Sequence, residues 1–242
     1  RDRRLTEGRE ALIRAERLAG IGRMMSQITH EIRNPLSSIA LNIELLEESL
    51  RTVEDVPKDV STTLRAIVSE IDRLTSVTEE YLQYAGLPTP RKRPEDINEI
   101  VRGVADFQAP ELHQAGVDLE LVLTDPSPII PVDEGQLRQA ILNLLRNARE
   151  AMGEGGGMRV ETARVPGRVE IRVTDTGSGI EEAVLARIFD PFFSTKARGT
   201  GLGLPLTGQI MAQHGGDIRC EASEGGGARF IISLPSDGAV GL

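Results

Sequence analysis

One histidine stands among side chains that could make it a nucleophile. His30 is followed by Glu31, and Asn34 lies about one helical turn further along the chain. If the Glu31 carboxylate accepts the proton of one imidazole nitrogen, the other nitrogen keeps a lone pair that can attack an electrophile. Asn34 shares the face of His30 and offers an amide that could orient a water molecule or a phosphoryl oxygen. These residues predict covalent chemistry at an imidazole.

The apolar residues around His30 predict where its ring points. Ile28 and Ile32 lie two positions to either side, so at about 100° per residue the ring is turned roughly 200° away from the apolar stripe. We therefore expect His30 to face solvent, although a lone histidine is more often a surface or packed residue. Pro35 cannot donate a hydrogen bond to the Glu31 carbonyl, which loosens the helix beside His30.

A second set of polar residues is typical of a metal and phosphate site. Asn143 and Asn147 are four residues apart on a predicted helix, so both amides project from one face. Amides on a leucine-rich helix need hydrogen-bond partners, so they either cap a nearby loop or face a ligand. Mg²⁺ prefers oxygen ligands and keeps several waters, so one amide oxygen together with ATP phosphates fits its coordination.

Two glycine-containing segments follow the asparagine helix. Asp175 ends a predicted strand, where its carboxylate could accept the exocyclic amine of adenine, and Gly177 and Gly179 would let the backbone approach the ring. A tight turn opened by an aspartate is the alternative. Further on, Gly199-Thr200-Gly201-Leu202-Gly203-Leu204 opens an apolar helix. Free N–H groups at the start of a helix favour phosphate.

The elements that position these residues fall into two groups, of which the first is helical. Apolar residues recur at steps of three and four over residues 18–50 and again over residues 60–85, which predicts two long amphipathic helices. Residues 52–58 interrupt the pattern with charges and Pro57, so the helices fold into an antiparallel hairpin. Because the hairpin alone leaves an apolar seam exposed, we expect two copies to pair as a four-helix bundle in a homodimer.

The second group mixes helical and strand patterns. Helices are predicted at Ile97–Gln114 and Glu134–Met152, and short alternating strands at residues 117–123, 158–165, 168–174, 217–221 and 228–234. Helices beside neighbouring antiparallel strands imply a two-layer α/β sandwich, so the chain is of the α+β class. We place the helical domain at residues 1–88, a polar linker at 89–95, the sandwich at 96–236 and a tail at 237–242.

The composition excludes some classes of function. The net charge of −9 argues against nucleic acid, because binding a polyanion requires a basic face. No apolar run reaches the roughly 18 residues of a membrane-spanning helix, so no direct membrane contact is expected. Cys220 is the single cysteine, which excludes an internal disulfide and favours the cytoplasm. Because the chain starts at Arg1, we expect a fragment of a longer protein, which could be membrane-anchored.

The order of the segments resembles one known family. His30-Glu31-Ile32-Arg33-Asn34-Pro35-Leu36 resembles the H-box of sensor histidine kinases. The asparagine helix, DTGSGI (175–180), IFDPFF (188–193) and GTGLGL (199–204) resemble the N, G1, F and G2 boxes of their Bergerat-type ATPase domain. The segment SEGGGARFIISLP is similar to the final glycine turn and strand of that domain. NAREAM, at residues 147–152, resembles the nitrogen-regulation subgroup.

The resemblance implies a phosphotransfer reaction. His30 would carry a phosphoryl group from ATP, Glu31 would be the base, and Asn34 would serve phosphatase activity toward a response regulator, whose receiver aspartate accepts the phosphate. Asn147 would bind Mg²⁺ with Asn143 beside it. Asp175 would read adenine, and further nucleotide contacts would come from Gly177, Gly179, Ile180, Lys196, Gly199, Thr200, Gly201, Leu202, Gly203 and Leu204.

The family likeness also predicts a mobile lid over the nucleotide, from about residue 191 to residue 201. Lys196 and Arg198 in that lid could supply the positive charge that a γ-phosphate needs. For Arg198 a solvated surface charge is the competing interpretation.

One residue departs from the family pattern. Many relatives carry a lysine three residues after the second asparagine, where this chain has Glu150, so a phosphate contact there is in doubt. Arg146 or Arg149 could replace that lysine. The competing functions are a different Bergerat-type ATPase, such as a chaperone or topoisomerase-like clamp, and a dimeric nucleotide-binding scaffold without chemistry. The first gives no reason for HEIRNP on an exposed helix face, and the second rests on Glu150 alone.

Overall fold

The structure is a computed structural model that describes residues 36–46, 48, 50, 58–153, 155–196, 199–223 and 226–236. These residues form two compact units that divide between Leu87 and Pro88. One unit is helical and the other combines helices with β-sheet, so the chain has the predicted α+β class. Within the described residues, no helix is both long enough and apolar enough to cross a membrane.

Two helices make up the described part of the first unit. Helix α1 is described over residues 36–46, 48 and 50, and helix α2 spans Lys58–Ala85. Residues seven apart lie on one side of a helix, so each helix contributes a single stripe to the contact between them. The buried members of this stripe are Leu36, Ile43, Leu64 and Ile71, and Ala40, Leu50 and Val68 pack against them. Most of the predicted turn at residues 52–58 lies outside the described residues.

A second apolar stripe runs beside the first on both helices. Ile39 and Leu46 each follow a buried residue of α1 by three positions, and Ile67 and Leu74 do the same on α2. These four side chains are 40–49% exposed, whereas the buried residues of the first stripe are at most 9% exposed. The contact between the helices therefore covers one part of the predicted apolar surface and leaves the other part open.

The second unit is built around one five-stranded sheet. Its elements are β1 (Arg93–Asp96), α3 (Ile97–Gln114), β2 (Val117–Val122), β3 (Ile129–Val132), α4 (Glu134–Met152), β4 (Gly156–Val165), β5 (Arg168–Asp175), α5 (Glu182–Leu185), α6 (Gly203–Gln213), β6 (Asp217–Ala222) and β7 (Ala228–Pro235). The strand order in the sheet is β2-β4-β5-β7-β6, and β1 pairs with β3 separately.

The sheet is mixed rather than antiparallel throughout. β2 pairs with β4 in the parallel direction, whereas β4 with β5, β5 with β7 and β7 with β6 are antiparallel. The expectation of antiparallel neighbours is therefore wrong for β2. Parallel neighbours require a long crossover, and β3 with α4 supplies it between these two strands.

Strand β1 shortens the predicted linker. Residues 93–95, which the sequence pattern places in the linker, pair antiparallel with β3, and Pro94 lies opposite Pro131. Proline is tolerated here because the pair is not part of a larger ladder that would need its N–H. Both strands have only four residues, so neither shows the alternation that reveals a strand.

Helix α4 is the central helix of the second unit. It contacts α3, α6 and β5. Ile141, Leu144 and Leu145 of α4 are at most 1% exposed, as are Ile171 and Val173 of β5. Because its neighbours hold it on several sides, the direction of its polar face is fixed.

The start of α4 is tied to the chain segment that enters the unit. Asp133 caps the helix, because its Oδ1 accepts a hydrogen bond from the Gln136 N–H at 3.1 Å. Its Oδ2 accepts from the Arg91 N–H at 2.8 Å, and the Gln136 side chain donates to the Pro88 carbonyl at 2.8 Å. Burial opposes ionisation of Asp133, but the hydrogen bonds from these N–H groups outweigh it and lower the pKa of its carboxyl.

A buried histidine joins the same aspartate to the end of α6. His214 Nε2 accepts the Asp133 N–H at 3.0 Å, and His214 Nδ1 lies 2.8 Å from the Ile210 carbonyl. This pairing requires the neutral ring with its proton on Nδ1. Burial lowers the pKa of His214, which favours the neutral ring. The ends of α4 and α6 are therefore joined through one imidazole.

Candidate functional site

The predicted phosphoacceptor residues lie outside the described part of the chain. His30, Glu31 and Asn34 precede residue 36, where helix α1 is first described. Their roles therefore stay predictions from the sequence. The residues predicted for the nucleotide site are described in the second unit, except for Arg198.

Asn143 joins the asparagine helix to the start of α6. Its Nδ2 donates to the Gly203 carbonyl at 3.2 Å, and its Oδ1 accepts from Gln139 Nε2 at 3.2 Å. The Thr207 hydroxyl donates to the same carbonyl at 2.9 Å. Both Nδ2 and Oδ1 of Asn143 therefore hydrogen-bond to other protein groups, as expected of an asparagine that caps a neighbouring segment. Asn147 lies one turn further on the same face of α4 and is half-buried.

Asp175 is a buried carboxylate at the end of β5. It is 1% exposed, and its Oδ1 accepts hydrogen bonds from the Gly177 N–H at 2.9 Å and the Ala228 N–H at 3.2 Å. Burial raises the pKa of Asp175, and the two N–H donors and the charge of Lys196 oppose that rise. Because both donors bind Oδ1, Oδ2 is the oxygen suited to an incoming amine.

The glycines after Asp175 are required by contacts within the protein. A Cβ at Gly177 would lie 2.6 Å from the Ala151 carbonyl oxygen, which also accepts the Ser178 N–H at 3.2 Å. Gly179 has φ +69° and would place a Cβ 2.7 Å from the Gly226 carbonyl oxygen. The segment therefore packs between the end of α4 and the β6–β7 turn. Ile180, which follows it, is half-buried.

Gly227 belongs to the site, although the sequence pattern alone assigns it no role there. A Cβ at this position would overlap the Asp175 main chain and lie 2.6 Å from Asp175 Oδ1. The next residue, Ala228, supplies an N–H that holds that oxygen. The β6–β7 turn therefore packs directly against the Asp175 carboxylate. The signal in the sequence is the glycine run 225–227, which resembles the final glycine turn of the family's ATPase domain and also fits an ordinary hairpin turn.

The ends of segment 191–201 are joined to each other. The Phe192 N–H donates to the Gly201 carbonyl at 3.0 Å. Gly201 has φ +68°, and a Cβ there would lie 2.6 Å from the Phe192 carbonyl carbon, so only glycine closes the segment in this way. The Arg187 guanidinium lies 4.3 Å from the centroid of the Phe193 ring. This cation–π contact anchors the start of the segment.

Helix α6 offers a small set of backbone donors at its start. Leu202 is 1% exposed and donates its N–H to the Thr200 hydroxyl at 3.3 Å, so its described contacts give it a packing role. Pro205, the third residue of the helix, has no N–H. The N–H groups of Gly203 and Leu204 are therefore the first-turn donors that can reach an anion.

The lysine predicted to contact phosphate is held by an ion pair. Lys196 Nζ donates to Glu150 Oε2 of α4 at 2.5 Å, and the Gly199 N–H donates to the Lys196 carbonyl at 3.2 Å. Arg149 pairs with Glu111 of α3 at 3.2 Å. Arg149 is therefore directed toward α3 and is not placed to replace the lysine that many family members carry at position 150.

The polar groups around Asp175 and the start of α6 suit a purine nucleotide. A buried carboxylate at Asp175 matches an exocyclic amine, and no side chain fits at Gly177 or Gly227 beside it. The N–H groups at the start of α6 and the Lys196 ammonium match phosphate. The amide oxygen of Asn147 matches a hard cation such as Mg²⁺. These features define an ATPase-type domain that follows a helical domain.

Comparison with known proteins assigns both units. Residues 21–89 match the His Kinase A (phospho-acceptor) domain, and residues 132–238 match the histidine kinase-, DNA gyrase B- and HSP90-like ATPase family. The chain is 34% identical to sporulation kinase E of Bacillus subtilis over 93% of its length, and 34% identical to the sensor histidine kinase ZraS of Escherichia coli O157:H7 over 92%. It spans only 30% and 48% of the length of these two proteins.

Solved structures agree with this assignment. Full-length ShkA in complex with AMPPNP superposes with a TM-score of 0.72 and 30% identity, covering 88% of this chain and 45% of ShkA. The catalytic domain of the histidine kinase ThkA gives 0.57 and 31%, covering 60% of this chain and 96% of that domain. ThkA in complex with the response regulator TrrA gives 0.69 and 28%, covering 96% and 67%. The chain therefore belongs to the histidine kinase family.

Proposed function

We propose that this chain is the catalytic core of a sensor histidine kinase. ATP phosphorylates His30, and the phosphoryl group then passes to an aspartate of a response regulator receiver domain. The observation that carries the proposal is the buried Asp175 carboxylate, whose Oδ1 is held by two backbone N–H groups, in a chain that also contains HEIRNP. Phosphatase activity toward the regulator, served by Asn34, is part of the same proposal.

The described residues would hold ATP at both of its ends. Asp175 would accept the adenine amine through Oδ2, while its Oδ1 stays fixed by backbone donors. The N–H groups of Gly203 and Leu204 and the Lys196 ammonium would contact the phosphates. Mg²⁺ bound through Asn147 would neutralise charge on the phosphate oxygens during transfer.

The transfer step needs a histidine with one unprotonated nitrogen. That nitrogen of His30 attacks the γ-phosphorus, the bond to the bridging oxygen breaks, and ADP leaves with the electron pair. Glu31 accepts a hydrogen bond from the other ring nitrogen and stabilises the positive charge that develops on the ring. Placement and charge neutralisation supply most of the acceleration in such reactions.

The proposal includes a homodimer formed by the helical unit. Ile39, Leu46, Ile67 and Leu74 form an apolar stripe that the contact between α1 and α2 leaves 40–49% exposed. Fully burying one such side chain contributes about 1.5–3 kcal/mol relative to leaving it exposed. A second copy of the helix pair would cover this stripe and complete a four-helix bundle.

The relatives support the proposed partner and nucleotide. ThkA was solved with a response regulator and ShkA with AMPPNP, which supports a response regulator partner and ATP binding for this chain. We assign phosphotransfer to residues 1–88 and ATP binding to residues 96–236. The cytoplasm is the proposed location because ATP is the phosphate donor. NAREAM supports a nitrogen-regulation-like subgroup.

One labelling assay tests the reaction. The protein is incubated with Mg-ATP labelled at the γ-phosphate and examined for acid-labile, base-stable protein phosphate. We expect label on the unmodified chain and none on His30→Gln, which should still bind ATP in a titration. His113→Gln is the matched control, because His113 is an exposed histidine on α3, and it should label normally.

Three outcomes would contradict the proposal. Label that survives in His30→Gln would exclude His30 as the phosphoacceptor. Steady ATP hydrolysis without labelled protein would favour a different Bergerat-type ATPase. ATP binding with neither label nor hydrolysis would favour a nucleotide-binding scaffold.

A further inference from the structure

An ion pair spans the nucleotide site from segment 191–201 to α4. Lys196 Nζ lies 2.5 Å from Glu150 Oε2, and the two side chains are 38% and 45% exposed. Glu150 follows Asn147 by three residues, so both project from the same side of α4. The carboxylate that holds Lys196 therefore lies beside the amide that we assign to the metal.

The backbone of Lys196 is held by neighbouring residues of its own segment. Its N–H donates to Ser194 Oγ at 3.1 Å, and its carbonyl accepts the Gly199 N–H at 3.2 Å. The electrostatic effect of its ammonium reaches Asp175, where it lowers the pKa against the effect of burial. The ammonium of Lys196 is therefore paired with Glu150 and also favours the ionised form of Asp175.

We propose that Glu150 holds Lys196 in the place of a γ-phosphate and so weakens the binding of ATP relative to that of ADP. This inference rests on the proposed function. The Lys196 ammonium has three N–H donors but a single charge, so the γ-phosphate of ATP competes with Glu150 for it. ADP has no γ-phosphate to offer in exchange, so Lys196 stays with Glu150.

The cost of this exchange follows from the exposure of the pair. Ion pairs between side chains exposed to this degree are weak, and releasing one corresponds to about a two- to fivefold change in an equilibrium constant. We therefore expect Glu150→Gln to bind ATP about two- to fivefold more tightly than the unmodified chain. Its affinity for ADP should change by less than about 1.5-fold, because ADP leaves the pair intact.

The test is a double-mutant cycle with ATP and ADP titrations. It uses the unmodified chain, Glu150→Gln, Lys196→Gln and the double variant, all with Mg²⁺. Glu111→Gln is the matched control. It removes an exposed carboxylate of α3 that pairs with Arg149, a neighbour of Glu150 on α4, and it should leave the ATP affinity unchanged. In the Lys196→Gln background, Glu150→Gln should lose its effect on ATP binding.

Each opposite outcome identifies what has failed. An unchanged or weaker ATP affinity of Glu150→Gln would overturn the inference. An equal tightening in the Lys196→Gln background would also overturn it, because the effect would then be plain repulsion between Glu150 and the phosphates. An equal tightening of ADP binding would exclude an effect of Glu150 that is specific to ATP. A lack of ATP binding by the unmodified chain would instead contradict the proposed function.

Discussion

Replacing Gly227 by alanine tests whether the β6–β7 turn is a wall of the nucleotide pocket. The added Cβ would overlap the Asp175 carbonyl oxygen and lie 2.6 Å from Asp175 Oδ1. Ala228 follows Gly227 directly and forms the last pair of the β6–β7 ladder with Ala222, so it moves with the turn. The turn must therefore move away from β5, which breaks the 3.2 Å hydrogen bond from the Ala228 N–H to Asp175.

The size of the effect follows from that hydrogen bond. A hydrogen bond to a charged group contributes about 1.5–3 kcal/mol. If ATP binding loses this amount because the Asp175 carboxylate is no longer oriented, the affinity falls by about 10- to 100-fold. The overlap itself should lower the free energy of unfolding by about 1–3 kcal/mol, as overpacking does in other proteins.

Calorimetric titration with ATP measures the affinity, and circular dichroism shows whether the variant is folded. Gly208→Ala is the control, because its Cβ would meet Ile218 Cγ2 at 3.7 Å, an ordinary contact between α6 and β6. The control should bind ATP as the unmodified chain does. A folded Gly227→Ala with an ATP affinity within about twofold of that chain would refute the reasoning.

Three further predictions concern the two units. Asn143→Ala removes one of the two side-chain donors to the Gly203 carbonyl and should weaken ATP binding about two- to tenfold in the same titration; an unchanged affinity would show that α6 does not need this contact. Ile67→Glu combined with Leu74→Glu places charge on the exposed stripe and should convert dimers into monomers in light scattering, and an intact dimer would contradict that interface. Burial lowers the pKa of His214, so the unfolded chain binds a proton at this residue more readily than the folded chain does. The stability that neutral His214 contributes is therefore complete above the unfolded-state pKa of about 6.5. It is lost as the pH falls through the lower pKa of the folded state. The difference in free energy of unfolding between the unmodified chain and His214→Gln, from urea titrations, should therefore shrink at about pH 5.5 relative to about pH 7.5, whereas a constant difference would exclude this linkage.

The helices of the second unit could be predicted closely because local signals mark their ends. Asp96 and Asp133 precede α3 and α4, and each accepts a hydrogen bond from an N–H three residues later. The predicted bounds of both helices match those observed. The alternating strands β5 and β7 were visible for a similar reason, since each places apolar residues at every second position on the core face.

Other parts of the fold depend on contacts that no local pattern encodes. β1 and β3 are too short to show an alternation of apolar and polar residues, and their prolines argue against strands when only the sequence is considered. The parallel pairing of β2 with β4 follows from where a crossover packs, which is decided by the whole unit.

The site shows the same division between local pattern and distant contact. The types and order of Asn147, Asp175 and the glycines predicted a nucleotide site. The packing of Gly227 against Asp175 and the pairing of Lys196 with Glu150 could not be predicted from the sequence. The Ala228–Asp175 and Lys196–Glu150 contacts join residues 53 and 46 positions apart, so they exist only once the sheet and α4 are assembled.

The hydrogen bonds that join residues 88 and 91 to α4 determine where tension on the incoming chain acts. Pro88 and Arg91 are bonded to the first turn of α4 through Gln136 and Asp133, so tension on the incoming chain reaches that helix before it reaches the sheet. Through His214 the same tension is shared with the far end of α6. A twist delivered at residue 88 is therefore transmitted along two helices at once, toward the amide and the backbone donors at their opposite ends.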